Sequence, residues 1–190
     1  MNQKTMKYWV DRESKSNCFT LFPRGLEINF GVDTRSWQWL PWKDPSTGES
    51  FEIAKMLGCV CVEIHGRLEM AYLTPGTNYV VAFGAKLTDS ARGWEEPVDF
   101  QLAFPNGTAQ VYPVRLGTFP REQWVVHRTL PFKASGMVGA MQASIQQQML
   151  AWREGLVIKW IIIRTASAYS SYVIFHINFP LKHFHCDVST

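Results

Sequence analysis

Val98-Asp99-Phe100-Gln101-Leu102-Ala103-Phe104 alternates large apolar residues with polar or small ones over seven positions. Successive side chains of a strand point to opposite faces, so this pattern buries one face and wets the other; wound as a helix it would scatter the apolar residues around the axis. The same period recurs in Leu26-Glu27-Ile28-Asn29-Phe30, in Val60, Val62 and Ile64, and in Tyr79, Val81, Phe83, Ala85 and Leu87. Trp124 and Val126, then Leu156, Ile158, Trp160 and Ile162, continue it. Turn chemistry separates these runs at Pro23-Arg24-Gly25, His65-Gly66, Thr74-Pro75-Gly76-Thr77, Pro105-Asn106-Gly107 and Arg153-Glu154-Gly155. Short half-buried strands punctuated in this way predict an antiparallel sandwich or barrel. One segment reads as a short helix, with Ser50 as its N-cap, Phe51, Ala54 and Leu57 on one face, and Gly58 as its stop. Gln142 to Trp152 fits either period: Met141, Ile145, Met149 and Trp152 would form a helical stripe.

The chain has 190 residues, 46% hydrophobic and 18% charged, the composition of one globular domain. Nineteen Lys and Arg against sixteen Asp and Glu leave a formal charge of +3 with no basic run, which argues against nucleic acid as the main ligand. Met1 to Asp11 lack an apolar signal-peptide core, so no secretory signal and a reducing compartment are expected. No run approaches the ~18 apolar residues of a membrane span, so the expectation is a soluble intracellular chain. Cys18, Cys59, Cys61 and Cys186 are read as free thiols, and Asn106-Gly107-Thr108 as a turn rather than a glycosylation site.

No nucleophile elbow, phosphate loop, dinucleotide fingerprint or zinc-helix motif is present in the sequence, and no acid/base pair stands out, so no enzyme and no cofactor are expected. Cys59, Cys61, Glu63 and His65 alternate with Val60, Val62 and Ile64 and would share one strand face. Same-face neighbours on a strand lie ~7 Å apart, too wide for a compact tetrahedral site. A polar outer sheet face is the preferred reading, with no metal. The densest feature is aromatic: Phe30, Trp37, Trp39 and Trp42, interspersed with Gly31, Asp33, Arg35, Gln38 and Lys43. Aromatic faces beside hydrogen-bonding groups suit a flat polar ligand such as a sugar ring, while the same tryptophans could equally fill a core.

Three blocks resemble the plant phloem protein 2 family, the Nictaba-type lectins. The first runs from Asn17-Cys18-Phe19 through Pro23 to Gly31 and on to Trp37-Gln38-Trp39. The second runs from Phe51-Glu52-Ile53 through Val62-Glu63-Ile64-His65-Gly66-Arg67-Leu68 to Leu73-Thr74-Pro75-Gly76-Thr77-Asn78-Tyr79, and the third is Trp152-Arg153-Glu154-Gly155-Leu156-Val157-Ile158-Lys159. The resemblance implies an all-β fold, a jelly-roll-like antiparallel β-sandwich with one short helix, spanning residues 17–164 after an N-terminal extension, 1–16, and before a divergent tail, 165–190. It also implies a strand at Gln142 to Trp152. It further implies a non-catalytic protein of cytoplasm and nucleus, often in vascular tissue such as phloem, that binds N-acetylglucosamine oligomers or N-glycan cores.

The family's sugar site is thought to use two tryptophans of the first block and two glutamates ahead of the closing strand. Trp37 matches one tryptophan, and the other falls on Phe30, which keeps a stacking face but lacks the indole N–H. One glutamate aligns with Gln146 or Gln147 and the other with Gly139 or Ala140, so no carboxylate is left at these positions. The implied carbohydrate-binding residues are therefore Phe30, Trp37, Trp39, Gln146 and Gln147, with Trp37 stacking on the sugar, Phe30 and Trp39 lining the cleft, and Gln147 as polar partner. Weakened glycan binding follows, because a hydrogen bond to a charged group contributes ~1.5–3 kcal/mol. The rival reading is a protein- or RNA-interaction module on a lectin fold that has lost sugar binding. In the tail, Tyr172-Val173-Ile174-Phe175 and Phe179-Pro180-Leu181 would add an edge strand or meet a second subunit in a homodimer, unless the terminus is poorly ordered. On this placement Phe30→Trp combined with Gln147→Glu should tighten chitotriose binding in titration calorimetry.

Overall fold

A computed structural model describes residues 4–147 and 150–166. It contains β1 (Met6–Val10), β2 (Asn17–Leu21), β3 (Glu27–Ile28), β4 (Trp37–Lys43), β5 (Ser50–Met56), β6 (Glu63–Glu69) and β7 (Asn78–Arg92). The chain continues with β8 (Val98–Ala103), β9 (Ala109–Val114), β10 (Val125–Arg128), β11 (Phe132–Lys133), β12 (Ala140–Gln146) and β13 (Glu154–Thr165). The larger sheet is built around β13. β7 pairs along one side of it, and β2 and β5 share the other. β1 extends β2, β4 extends β5, and β10 and β11 extend β7. The smaller sheet runs β3-β6-β12-β8-β9. Spatial neighbours such as β6, β12 and β8 are remote in sequence and the described strands pair antiparallel, so the fold is a jelly-roll-like β-sandwich.

Alternation explains how the two sheets meet. Val98, Phe100 and Leu102 of β8, Ile64 and Leu68 of β6, and Met141, Ala143 and Ile145 of β12 all enter one core. Leu156, Ile158, Ile161 and Ile163 of β13 reach it from the other side. The polar partners in the same strands, such as Asp99, Gln101, Glu63 and Gln146, turn to the outer face of the smaller sheet. The larger sheet also has a covered outer face, where Phe22, Phe51, Ile53 and Val157 pack with Trp42, Trp124 and Trp160. A bulge between Ile158 and Trp160 turns that indole outward, and Gly84 opposite it leaves the room: a Cβ there would lie 3.0 Å from the ring.

Three expectations change. Ser50 to Gly58 is not a helix: Ser50–Met56 is β5, paired with β4 and β13. Both its faces are buried, Phe51 and Ile53 outward and Ala54 and Met56 inward, so its apolar pattern loses the two-residue period and mimics a helical stripe. Two strand neighbours also stabilise it more than two isolated helical turns could. His65-Gly66 is not a turn but the middle of β6, where Gly66 admits Leu21, Leu26 and Ile161 to within 2.9–3.1 Å of the place a Cβ would take. Cys59 and Cys61 precede β6 rather than lying in it, with Cys59 buried and bridged to Arg153. Glu63 and His65 do lie on the outer face. Gln142 to Gln146 is strand, while Gln148 and Met149 lie outside the described residues, as do the tail runs Tyr172-Phe175 and Phe179-Leu181 and the residues His183, His185 and Cys186.

His127 of β10 stands among Phe83, Phe100 and Tyr112, with no hydrogen-bond partner for its Nε2 among the described residues. Burial pushes its imidazolium down to about 4, from the usual 6.5. Between these values the unfolded chain binds the proton and the folded chain does not, so stability falls as pH is lowered through that window, by at most ~3 kcal/mol. Melting curves between pH 7 and pH 4.5 should show this loss in the native chain and a smaller one in His127→Phe. Equal losses in both would contradict the assignment.

Candidate functional site

The turn after β3 holds Phe30 at φ 57°. That left-handed conformation costs a bulky residue ~1–2 kcal/mol, so the surroundings must fix it. They do so through the backbone on both sides. Trp37 donates its indole N–H to the carbonyl of Asn29, and Trp39 donates its own to the carbonyl of Gly31, each at 3.0 Å. The Asn29 amide donates to the Glu63 carbonyl, and the Asp33 amide to the Phe30 carbonyl, both at 2.9 Å. Phe30 is left 49% exposed, at the β3 edge of the smaller sheet.

The expected site residues therefore separate. Trp37 is only 2% exposed and belongs to the core, so it cannot offer a sugar a wet stacking face. Its neighbour Trp39 is half-buried, with the Arg24 guanidinium 3.8 Å from its ring centroid and Arg24 itself forked onto Glu52 at 2.7 and 3.1 Å. Both tryptophans hold the backbone around Phe30 through their indole N–H groups. Gln147 follows Gln146 and turns to the opposite side. It is buried, and neither its amide oxygen nor its amide nitrogen has a partner among the described residues. Gln147→Glu would bury a charge, so that half of the expected affinity gain is withdrawn. Gln146 does lie on the outer face, where its amide donates to Gln101.

Strand register supplies what alignment of the sequence leaves out. Gln146 stands directly opposite Glu63 of β6 on one side and Asp99 of β8 on the other. Directly opposed side chains start ~4.5–5.5 Å apart at Cβ, so two carboxylates flank the glutamine on one face. In the rows behind, Gln142 accepts from Arg67 at 3.2 Å and lies 3.1 Å from His65 Nδ1, while Arg67 approaches Glu27 at 3.7 Å. The face is thus a hydrogen-bonding surface with its own side-chain order. Glu63 and Asp99 were not legible as site residues, because only the fold brings their strands beside β12.

A second exposed aromatic was also missed. Residues 147 and 151–153 lie alongside 59–62, with the Gln147, Ala151 and Arg153 amides donating to the Val62, Val60 and Cys59 carbonyls. Trp152 is 61% exposed at the end of this stretch and lies over Gly58, where a Cβ would come within 2.2 Å of its ring. Burial, and then the Glu63 carboxylate, push the Cys61 thiol up, so it stays protonated and is no nucleophile at neutral pH. No cluster of metal-ligating side chains occurs among the described residues.

An all-β sandwich that fixes exposed aromatic rings beside a polar sheet face has the makings of a binding module. The chain belongs to the phloem protein 2 family, whose model matches residues 16–165. A lectin of Luffa acutangula is 37% identical over 166 residues, covering 86% of this chain and 78% of that protein. Protein PHLOEM PROTEIN 2-LIKE A1 of Arabidopsis thaliana is 36% identical over 168 residues, covering 85% of this chain and 67% of that one. Among solved structures, TmCBM61 in complex with β-1,4-galactotriose is similar at a TM-score of 0.45 and 11% identity, over 74% of this chain and 87% of that one.

The two aromatic roles predict opposite effects on stability. Trp37→Phe removes a buried donor and should cost ~1–3 kcal/mol in chemical denaturation. Phe30→Gly relieves a left-handed backbone and should be neutral or stabilising by up to ~1 kcal/mol. Comparable losses in both variants would show that Phe30 is packed rather than displayed.

Proposed function

We propose that this protein binds carbohydrate across the β3 end of its smaller sheet. The observation that carries the reading is the exposed Phe30 ring, held by two indole hydrogen bonds next to the Glu63, Gln146 and Asp99 row. A pyranose has an apolar C–H face that packs on an aromatic ring and hydroxyls that need acceptors at its edge. Phe30 supplies the first, with Trp152 as a second apolar face on the far side of residues 58–62. Glu63 and Asp99 supply charge-assisted acceptors, about twice as strong as neutral ones, and Gln146 between them supplies a neutral partner. The carboxylates lost from the expected β12 positions are thus replaced from neighbouring strands, so binding need not be weak.

The ligand proposed is a GlcNAc oligomer or N-glycan core, a Nictaba-type specificity suggested by the sequence resemblance and supported in class by relatives named as lectins. The lectin domain is proposed to be residues 17–164, with the segment before it contributing β1 as an added edge strand. Residence in cytoplasm and nucleus, in phloem tissue, is the matching proposal, with relatives named for phloem in its favour. Homodimerisation is kept as a further proposal for the tail.

Titration of the folded chain with chitotriose, beside a glycan array, tests the reading. Phe30→Ala should weaken binding at least ~10-fold, and Glu63→Gln or Asp99→Asn by ~10-fold or more, since each removes a charged acceptor. Phe30→Trp should tighten it. A folded protein that binds no glycan would favour the protein- or RNA-interaction reading, and unchanged affinity in Phe30→Ala would remove the site from this edge.

A further inference from the structure

A separate cavity of about 220 Å³ lies between the β7–β8 loop and the turn after β9. Arg92, Arg115 and Arg121 line it from three points along the chain, with Glu95 the one carboxylate among the lining residues. Its frame is rigid. Trp94 is buried and donates its indole N–H to the Glu154 carbonyl at 2.8 Å. The Gly117 amide donates to the Trp94 carbonyl at 3.0 Å, an approach that a Cβ at Gly117 would block at 2.5 Å from that oxygen. The hydroxyl of Thr118 donates to the Arg115 carbonyl at 2.8 Å and closes the turn. The Gly117–Trp94 and Trp94–Glu154 bonds hold the two loops together without using the Arg92 or Arg121 guanidinium.

Arg92 is compensated by Glu154, which leaves Arg115 and Arg121 against the single Glu95 carboxylate in the lining. Arg92 approaches the Glu154 carboxylate at 3.6 Å, and Arg115 donates to the backbone carbonyl of Glu95 at 3.4 Å, a long contact that consumes no opposing charge. The Glu95 and Glu96 carboxylates act on buried Arg153, whose guanidinium lies 5.8 Å from the Trp94 ring. Guanidinium groups present planar forks of donors that match oxyanions two bonds at a time, and Arg115 and Arg121 beside one recess, with Arg92 at its rim, favour an anion over a neutral group. The recess is open to solvent on one side and has room for one sugar-sized group.

We propose that this cavity is a subsite for a single oxyanion of monosaccharide size, a hexuronate or a phosphate group. It does not rest on the glycan face at the β3 edge. The test is titration of the full chain with galacturonate, inorganic phosphate and neutral galactose, followed by amide chemical shifts of Gly93, Gly117 and Thr118. At least one of the two anions should shift these amides while galactose does not. Binding of galacturonate alone identifies an acidic sugar site, and binding of phosphate alone identifies a tetrahedral oxyanion site. The double variant Arg115→Gln/Arg121→Gln, with circular dichroism unchanged, should weaken the anion at least ~10-fold, and raising salt from ~0.05 to ~0.5 M should weaken it too. Phe30→Ala should leave it unaffected. Equal response to galactose, no response to either anion, or full affinity in the double variant would overturn the proposal.

Discussion

Two indole N–H groups, on Trp37 and Trp39, take the carbonyls on either side of Phe30 and hold a strained backbone in place. The energetics are lopsided in a useful way. A left-handed phenylalanine costs ~1–2 kcal/mol, whereas each buried hydrogen bond resists removal by ~1–3 kcal/mol. The turn is therefore over-determined, and its exposed ring is presented with little entropy left to lose on binding. Tryptophans that attract attention as ligand contacts here do their work one step behind the surface.

The rest of the sandwich makes that arrangement possible. β13 is buried on both faces and ties β2, β5 and β7 into one sheet. The smaller sheet then covers the core with one face and leaves the other polar. Because β6, β12 and β8 are adjacent only through the fold, Glu63, Gln146 and Asp99 form a row that no contiguous motif encodes. On the opposite side of the molecule, Lys159 sits between Trp42 and Trp124 and pairs with Asp44 at 2.7 Å, so those aromatics are committed to covering the larger sheet.

Strand alternation made the fold class legible, and Val98 to Ala103 is buried and half-buried in the order its sequence predicts. The misread helix at Ser50 shows where alternation fails: a strand covered on both faces has no wet side to mark its period. Spacing also showed that Trp37 and Trp39 share a face without showing that this face is the core. The alternation of Gln146 with Gln147 was present in the sequence, but its phase became readable only from the buried positions of Met141, Ala143 and Ile145. The carboxylates on this face come from neighbouring strands, through register, and not from the segment of chain that carries Gln146.

Mapping backbone and aromatic-ring shifts of the isotopically labelled chain during a chitotriose titration would test the central claim most directly. The largest changes should fall on the Phe30 ring and on the Glu63, Gln146 and Asp99 amides, with the buried Trp37 indole N–H still bonded to Asn29. Saturable shifts confined to another surface, or release of the Trp37 bond to expose its indole to the sugar, would contradict it.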